Sequence, residues 1–133
     1  MFQISTKVDY GLILMRSLAL HYATGPMSLR TIAEENQLPY RYLTQIVMPL
    51  RRALLVKSFE GSRGGYQLAK DPQTITLQDI ARVLAPHKRL NRCLRTDHAS
   101  CSLKPHCSMS SWWLHFNVRF QKMIHDIKLS DLV

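Results

Sequence analysis

The chain has 133 residues, of which 46% are hydrophobic and 20% charged. This composition is typical of one globular domain and excludes a disordered or fibrous chain. The formal net charge of +9 indicates a polyanionic partner, either nucleic acid or an anionic membrane face, with solubility alone as the simpler interpretation. We find no secretion signal, no bilayer-spanning stretch and no catalytic or nucleotide-binding motif, so we expect a cytoplasmic protein that is not an enzyme.

The first helix is predicted to begin with a capping box and to be well buried. Thr6 is followed three residues later by Asp9, and the stretch "VDYGLILMRSLALHYA" has apolar residues around most of its circumference. We expect this helix to run to about Ala23, where "TGP" ends it.

Two short helices joined by a tight turn are predicted next. Ser28 is a plausible N-cap for the first, and Pro39 fits the first position of the second. In the second helix a core face recurs at i, i+3, i+4 and i+7, and the opposite face is polar and basic. Pro49 should kink or end the helix near Met48. This arrangement is typical of a helix-turn-helix, whose second helix enters the major groove of DNA.

A β-hairpin is predicted directly after these helices. The segments "LLVKSFE" and "GYQLA" favour strands, and "GSRG" between them supplies glycines for the turn and Arg63 at its tip. A basic hairpin in this position indicates a winged helix, whose wing reaches phosphates or the minor groove. Thr76 and Asp79 then form a second capping box, and Pro86 stops the helix that follows.

Candidate DNA-binding residues lie on the second helix of the pair and around the wing. We expect Arg41, Thr44 and Gln45 to read bases, since glutamine suits adenine and arginine suits guanine or phosphate. Four basic residues are expected at phosphates, with solvated surface charge as the alternative: Arg51, Arg52, Lys57 and Arg63. Ser28 is a further DNA-binding candidate.

All three cysteines of the chain lie close together in "NRCLRTDHASCSLKPHC". In a reducing cytosol such a cluster favours metal binding or redox chemistry over a structural disulfide. Three thiolates, Cys93, Cys101 and Cys107, leave one coordination position open, for which His98 and His106 are local candidates. A zinc site with three cysteines and one histidine is one interpretation of this set. A reversible disulfide between two of the cysteines is another possibility. Nearby basic residues would favour thiolates: Arg89, Arg92, Arg95 and Lys104.

The C-terminal helix carries a hydrophobic seam from Ser111 onward. Its members are spaced 3, 4, 3 and 4, as in an a/d heptad seam: Trp113, Phe116, Phe120, Met123 and Ile127. We expect this seam to form a dimer interface, with packing on the helix's own domain as the alternative. Because two heptads cannot hold a coiled coil alone, we also expect the helix to pack against the first helix.

Taken together, these motifs resemble the IscR/NsrR/RirA family of iron–sulfur winged helix-turn-helix transcriptional regulators over nearly the whole chain. The resemblance is carried by "KVDYGL", "YLTQI", "LVKS…GSRGGYQLA", "ITLQDI" and the three cysteines, in that order. Leu54 and Glu60 differ from the family's usual pattern, which commonly has a glycine at the first position and a basic residue at the second.

The resemblance implies a homodimer that binds palindromic operators in double-stranded DNA. It also implies an iron–sulfur cluster, 2Fe-2S or 4Fe-4S, between the cysteine segment and the partner subunit's first helix. Asp9 of the partner matches the position that supplies a carboxylate ligand; a helix cap is its alternative role. The expected function is a repressor whose operator affinity responds to nitric oxide, iron or redox state.

The expected architecture is mainly α-helical with a small hairpin wing and a long C-terminal dimerisation helix. We assign residues 1–86 to the DNA-binding domain, 87–110 to the cysteine segment, and 111–133 to the dimerisation helix and tail. A cluster-free regulator, controlled by thiol oxidation or by a partner protein, is the alternative function.

Overall fold

The structure is a computed structural model that describes residues 3–86, 89–94 and 101–133. It contains helices α1 (Thr6–Leu20), α2 (Leu29–Asn36), α3 (Tyr40–Arg52), α4 (Leu77–Leu84) and α5 (Ser110–Asp126), and strands β1 (Val56–Phe59) and β2 (Gly65–Leu68). Short 3₁₀ turns lie at Arg92–Leu94, Lys104–His106 and Leu129–Leu132. The mainly helical winged fold predicted from the sequence is confirmed. In the described part of the chain, no helix is both long and apolar enough to cross a membrane.

Helix α1 lies at the centre of the core, where it packs against α3, α4 and β2. Its residues Leu14, Met15 and Leu18 are almost completely buried, as expected for a helix that is apolar around most of its circumference.

The predicted capping box at the start of α1 is wrong. Ser5 is the N-cap residue and makes no side-chain cap bond, while its carbonyl accepts a hydrogen bond of 3.0 Å from the Asp9 N–H. Thr6 is therefore already helical, one residue too late to cap the helix. Asp9 is exposed on the first turn. The helix also ends at Leu20 instead of near Ala23, and residues 21–24 form a turn.

The predicted core face of α3 is confirmed, but the predicted end of this helix is wrong. Leu43, Ile46, Val47 and Leu50 are all buried. The helix continues through Pro49 to Arg52, and Pro39 is the N-cap residue rather than the first helical residue. A proline inside a helix costs about 3 kcal/mol. Burying Leu50 completely just beyond it offsets much of that cost, because a fully buried leucine contributes about 1.5–3 kcal/mol.

The predicted capping box of α4 is confirmed. The Thr76 N–H donates to the Asp79 carboxylate at 2.9 Å, and the Asp79 N–H donates to the Thr76 hydroxyl at 3.0 Å. Burial raises the pKa of the Asp79 carboxyl, but the hydrogen bonds from Thr76 and the charges of Arg82 and Lys70 lower it by more. The net pKa of Asp79 therefore lies below its usual value.

The C-terminal residues fold back onto the DNA-binding domain. Helix α5 packs mainly on α4, where the Gln78 side-chain amide donates to the Gln121 side chain at 2.5 Å. Beyond α5, the Leu77 N–H donates to the Ile127 carbonyl at 2.9 Å, and the Leu129 N–H donates to the Ile75 carbonyl at 2.8 Å. Leu129 is 1% exposed and belongs to the central core. The chain after α5 is therefore part of the same folded unit as α1–α4.

Candidate nucleic-acid interface and cysteine segment

The outward face of α3 carries four side chains at the spacing that recognition helices use. Arg41, Gln45 and Met48 are exposed and Thr44 is half-buried. Positions 41, 44, 45 and 48 are separated by three, four and seven residues, so they lie on one side of the helix. This side is opposite the buried core face, which leaves it free to enter a major groove.

Thr44 differs from its neighbours because its hydroxyl group is already bonded. The hydroxyl donates to the Arg41 carbonyl at 2.6 Å. The hydroxyl therefore has no hydrogen left to donate to a base, and Thr44 offers a base acceptor lone pairs and its γ-methyl group unless this bond is broken.

The start of α2 lies beside the start of α3. The Ser28 hydroxyl caps α2 by accepting from the Thr31 N–H at 3.0 Å. Arg30, in the first turn of α2, lies over the ring of Tyr40 with its guanidinium carbon 5.0 Å from the ring centre. A positive charge in the first turn is unfavourable to the helix dipole. The Tyr40 ring offers the Arg30 guanidinium a favourable contact at this end of the helix.

Two backbone hydrogen bonds between Met27 and Tyr66 join the wing to this region. The Met27 N–H donates to the Tyr66 carbonyl at 2.8 Å, and the Tyr66 N–H donates to the Met27 carbonyl at 2.7 Å. Gly65 allows this close approach, because a Cβ atom there would overlap the Met27 carbonyl group. Its φ of +148° is also a conformation that side chains rarely adopt. The wing is thereby fixed against the residue that precedes the Ser28 cap.

These elements enclose an open groove of about 400 Å³ between the wing, the start of α2 and the start of α3. Its lining combines a cap hydroxyl, a guanidinium, aromatic rings and glycine backbone: Ser28, Leu29, Arg30, Tyr40, Thr44, Phe59, Gly61, Gly64, Gly65 and Tyr66. Hydroxyl, guanidinium and backbone N–H groups are the groups that proteins use on phosphates.

The predicted basic residues around the wing are all exposed. Arg63 lies in the turn between the strands, and the Lys57 ammonium lies 5.3 Å from the centre of the Phe59 ring. Arg51 and Arg52 occupy the last turn of α3. They also stabilise the negative end of that helix, so their charges have a structural role beside any contact with DNA.

The three cysteines are free thiols and each is half-buried. Cys93 lies in the 3₁₀ turn Arg92–Leu94, which packs against α5. Cys101 and Cys107 flank the second 3₁₀ turn: the Cys101 carbonyl accepts from the Lys104 N–H, and the Cys107 carbonyl accepts from the Ser110 N–H. Among residues 3–86, 89–94 and 101–133, no group of three or more His, Cys, Asp or Glu side chains is close enough to hold a metal ion.

The structure describes only some of the other residues predicted near the cysteines. Arg89, Arg92, Lys104 and His106 are exposed, while Arg95 and His98 lie outside the described residues. Asp9, the predicted carboxylate ligand from a partner subunit, is exposed on α1 and does not serve as a helix cap.

The predicted dimer seam is only half-covered by the chain itself. Trp113, Phe116 and Phe120 are half-buried, Met123 is 53% exposed, and Ile127 is the C-cap residue that follows α5. Three other apolar side chains of α5 are also exposed: Trp112 at 49%, Leu114 at 55% and Val118 at 67%.

The sequence matches the family described as Rrf2, iron-dependent transcriptional regulator, over residues 4–133. The chain belongs to the Rrf2 family. It is therefore a transcriptional regulator and not an enzyme, as predicted from the sequence. The family resemblance drawn from the motifs is confirmed.

Named Rrf2-family relatives agree with this assignment. The transcriptional regulator CymR of Bacillus subtilis is 52% identical over 82 residues, which cover 62% of this chain but only 59% of CymR. A structure of CymR, described as the global cysteine regulator of B. subtilis, has a TM-score of 0.79 and 38% identity, and the match covers 99% of this chain and 96% of that one. The structure of T. potens IscR has a TM-score of 0.77 and 36% identity, with 98% and 85% covered.

The sequence did not predict that Arg30 and Tyr40 belong to the surface formed by the start of α2, the start of α3 and the wing. The signal that could have indicated them is the basic residue directly after a helix cap, at the end of the helix where positive charge is unfavourable. Met27 was also missed as a link to the wing, because a bridge of one residue has no periodicity to detect.

Proposed function

We propose that this regulator binds palindromic operator DNA as a homodimer, and that a cysteine-bound iron–sulfur cluster controls its affinity. The observation that carries the DNA-binding part is one continuous exposed surface formed by α3, the start of α2 and the wing. Its charged side chains are mostly basic, and the chain as a whole has a net charge of +9. A surface of this charge and shape suits a duplex whose major groove receives α3.

The residues of this surface divide into two groups. Arg41 and Gln45 lie on the outer side of α3 and read base edges, with Gln45 suited to adenine. The second group holds the DNA backbone through hydroxyl and cationic groups around the groove and the wing: Ser28, Arg30, Arg51, Arg52, Lys57 and Arg63. Glu60, exposed beside the wing turn, repels phosphate and limits the wing's share of the affinity.

This division is tested by two variants measured on an operator selected from random DNA. Gln45→Ala should lower affinity for the selected operator about tenfold or more but leave binding to random DNA almost unchanged. Arg63→Ala should weaken binding to both DNAs and reduce the slope of log affinity against log salt by about one. Arg119→Ala, which removes the same charge from the exposed side of α5, is the control. Equal losses on both DNAs for both variants would contradict the division.

Dimerisation through α5 is supported by the apolar surface that this helix leaves exposed. No residue of α5 is buried within the described chain, although the helix is 17 residues long and carries two tryptophans. An uncovered apolar helix of this kind marks an interaction site. Trp112 borders the predicted seam, and Leu114 and Val118 lie on the opposite, more exposed side of the helix.

The dimer is tested by light scattering across a range of protein concentrations. Val118→Glu should shift the protein toward monomer, because it puts a charge into the proposed interface. Leu54→Glu is the matched control, since Leu54 is 69% exposed and lies outside α5, at the corner between α3 and β1. Dimers of unchanged stability in Val118→Glu would contradict an interface on this side of α5.

The cysteines are the proposed cluster ligands, with Asp9 of the partner subunit at the fourth position. The donor set fits the group chemically: Cys93, Cys101 and Cys107 are free, half-buried thiols, and Asp9 is an exposed carboxylate. In its described part, a single chain does not bring three of these groups together. Such a cluster supplies iron that reacts with oxidants or nitric oxide.

A series of packing contacts connects the cysteine segment to α3. The turn that contains Cys93 packs on α5, and α5 is bonded to α4 through Gln78 and Gln121. Helix α4 packs in turn against α1 and α3. A change at the cysteines that shifts α5 therefore changes the spacing of the two α3 helices in a dimer, and with it the operator affinity.

The cluster is tested by anaerobic purification, absorption spectra, and iron and sulfide analysis. The proposal predicts coloured protein with nearly equal iron and sulfide, loss of both in Cys101→Ala, and no loss in Ser102→Ala as the control. Asp9→Asn should keep the protein folded but make the colour bleach faster in air. Colourless protein that reconstitution with iron and sulfide does not change would contradict it.

A cluster-free thiol regulator is the second candidate. It is favoured by three free thiols that do not converge within the described chain, and by the 52% identity with CymR, whose structure is described as that of a cysteine regulator. In this case, metal-free protein should bind the operator fully and respond reversibly to oxidant and dithiothreitol. A zinc site with three cysteines and His106 would instead give colourless protein with one zinc ion per chain.

A further inference from the structure

The outward face of α3 contains an apolar row, Thr44 and Met48, beside the row formed by its two polar residues, Arg41 and Gln45. Met48 is 40% exposed. It follows Thr44 by four residues, so the two side chains are neighbours on the helix surface. The Thr44 hydroxyl donates its hydrogen to the Arg41 carbonyl, so toward a base this side chain offers acceptor lone pairs and a methyl group. The centre of a surface otherwise suited to polar contacts therefore presents a methyl group and a thioether chain.

An apolar group on a base-reading face has one specific counterpart in the major groove. Thymine is the only base that carries a methyl group there, at C5, and apolar side chains recognise it by contact. Methionine is long, unbranched and polarizable, so it can follow such a group without exact alignment. Gln45, three residues before Met48, suits adenine, and each adenine is paired with a thymine whose methyl group faces the same groove.

We propose that Met48, together with the Thr44 methyl group, is a specificity determinant that recognises thymine C5-methyl groups next to the adenine read by Gln45. The inference deepens the proposed function and rests on α3 entering the major groove. It makes the selected half-site rich in A·T pairs at its centre. It also makes the preference for thymine depend on a single methyl group and not on hydrogen bonding.

Replacing thymine with uracil tests this directly, because uracil lacks only the C5-methyl group. Each thymine in one half-site of the selected operator is replaced in turn, and affinity is measured for the wild-type protein, Met48→Ala and Met48→Leu. At one or two positions uracil should weaken wild-type binding about fourfold, the value expected for one buried methyl group. Met48→Ala should bind the thymine operator more weakly and lose most of this sensitivity to uracil. Met48→Leu, which keeps an apolar chain, should retain it.

The outcomes separate this inference from the function on which it rests. Wild-type protein that binds its operator equally well with thymine and uracil throughout overturns the role of Met48 but leaves the DNA-binding proposal intact. A fourfold uracil effect that persists unchanged in Met48→Ala also overturns it, since the methyl group is then read elsewhere. Wild-type protein that selects no DNA sequence overturns both proposals. Circular dichroism of Met48→Ala, at a partly exposed position, checks that the helix is retained.

Discussion

Replacing Gly65 with alanine should destabilise the protein far more than the same replacement at Gly61. Both glycines have positive φ, +148° at Gly65 and +99° at Gly61, so alanine is strained at either position. At Gly61 no atom lies within 4 Å of the added Cβ, whereas at Gly65 the Cβ overlaps the Met27 carbonyl group and lies 2.9 Å from the Ser28 nitrogen. The comparison therefore separates backbone strain from the loss of the link between the wing and α2.

The magnitudes follow from these contacts. Strain alone costs about 1–2 kcal/mol, which is the whole expected effect of Gly61→Ala. Gly65→Ala adds the loss of the two hydrogen bonds between Met27 and Tyr66, at about 1 kcal/mol each, for a total of about 3–4 kcal/mol. This is a large part of the stability of a domain of this size, which is about 5–15 kcal/mol.

Urea unfolding followed by circular dichroism measures the difference. With a urea dependence of about 2 kcal/mol per molar, the midpoint should fall by about 1.5–2 M for Gly65→Ala and by less than about 1 M for Gly61→Ala. All variants need the same protein concentration, because dimerisation contributes to the midpoint. Equal shifts for the two variants would refute the argument that the Met27–Tyr66 pair depends on Gly65.

Three further changes test other parts of the fold. Leu54 has a φ of +59° and is 69% exposed, so Leu54→Gly should raise stability by about 0.5–1 kcal/mol; a lower urea midpoint would contradict this. Leu129→Ala should cost about 2–5 kcal/mol, since this tail residue is fully buried; an unchanged midpoint would mean that the tail is not docked. Asp79 has a lowered pKa, so its contribution to stability is present above the carboxyl's ordinary pKa and is lost as pH falls through the lower folded value. Unfolding midpoints between pH 6 and 2.5 should therefore fall less steeply in Asp79→Asn than in the wild type, and parallel curves would count against this assignment.

The parts of the fold that were predictable from sequence are those with a repeated or reciprocal pattern. The core face of α3 recurs over two turns, and the Thr76–Asp79 box links two residues at fixed spacing, so both could be recognised locally. The end of α3 was predicted wrongly because the rule that proline ends a helix considers only the local sequence. Burial of Leu50 offsets much of the cost of Pro49. The tail gave no comparable signal, since one leucine after α5 does not reveal that it returns to the core.

The candidate site was predictable to different degrees for similar reasons. The basic and polar residues of α3 follow from the helical period, because the outer face is fixed once the core face is known. Arg30 and Tyr40 meet only through the turn between α2 and α3, so their pairing depends on tertiary geometry. The arrangement of the cysteines depends on residues beyond one chain if the site is shared between subunits, and no spacing rule determines it.

Control of operator binding by a cluster on the cysteines can be tested by comparing three affinities for the same operator. Anaerobically purified protein, the same protein after removal of iron by a chelator, and Cys101→Ala are titrated against the selected operator at fixed salt. Control by a cluster predicts that removing iron changes the affinity for the operator at least about tenfold, which is a coupling free energy of about 1.4 kcal/mol. Cys101→Ala should then match the iron-free protein. Equal affinity in all three samples would contradict control by a cluster, even if the protein proved to contain iron.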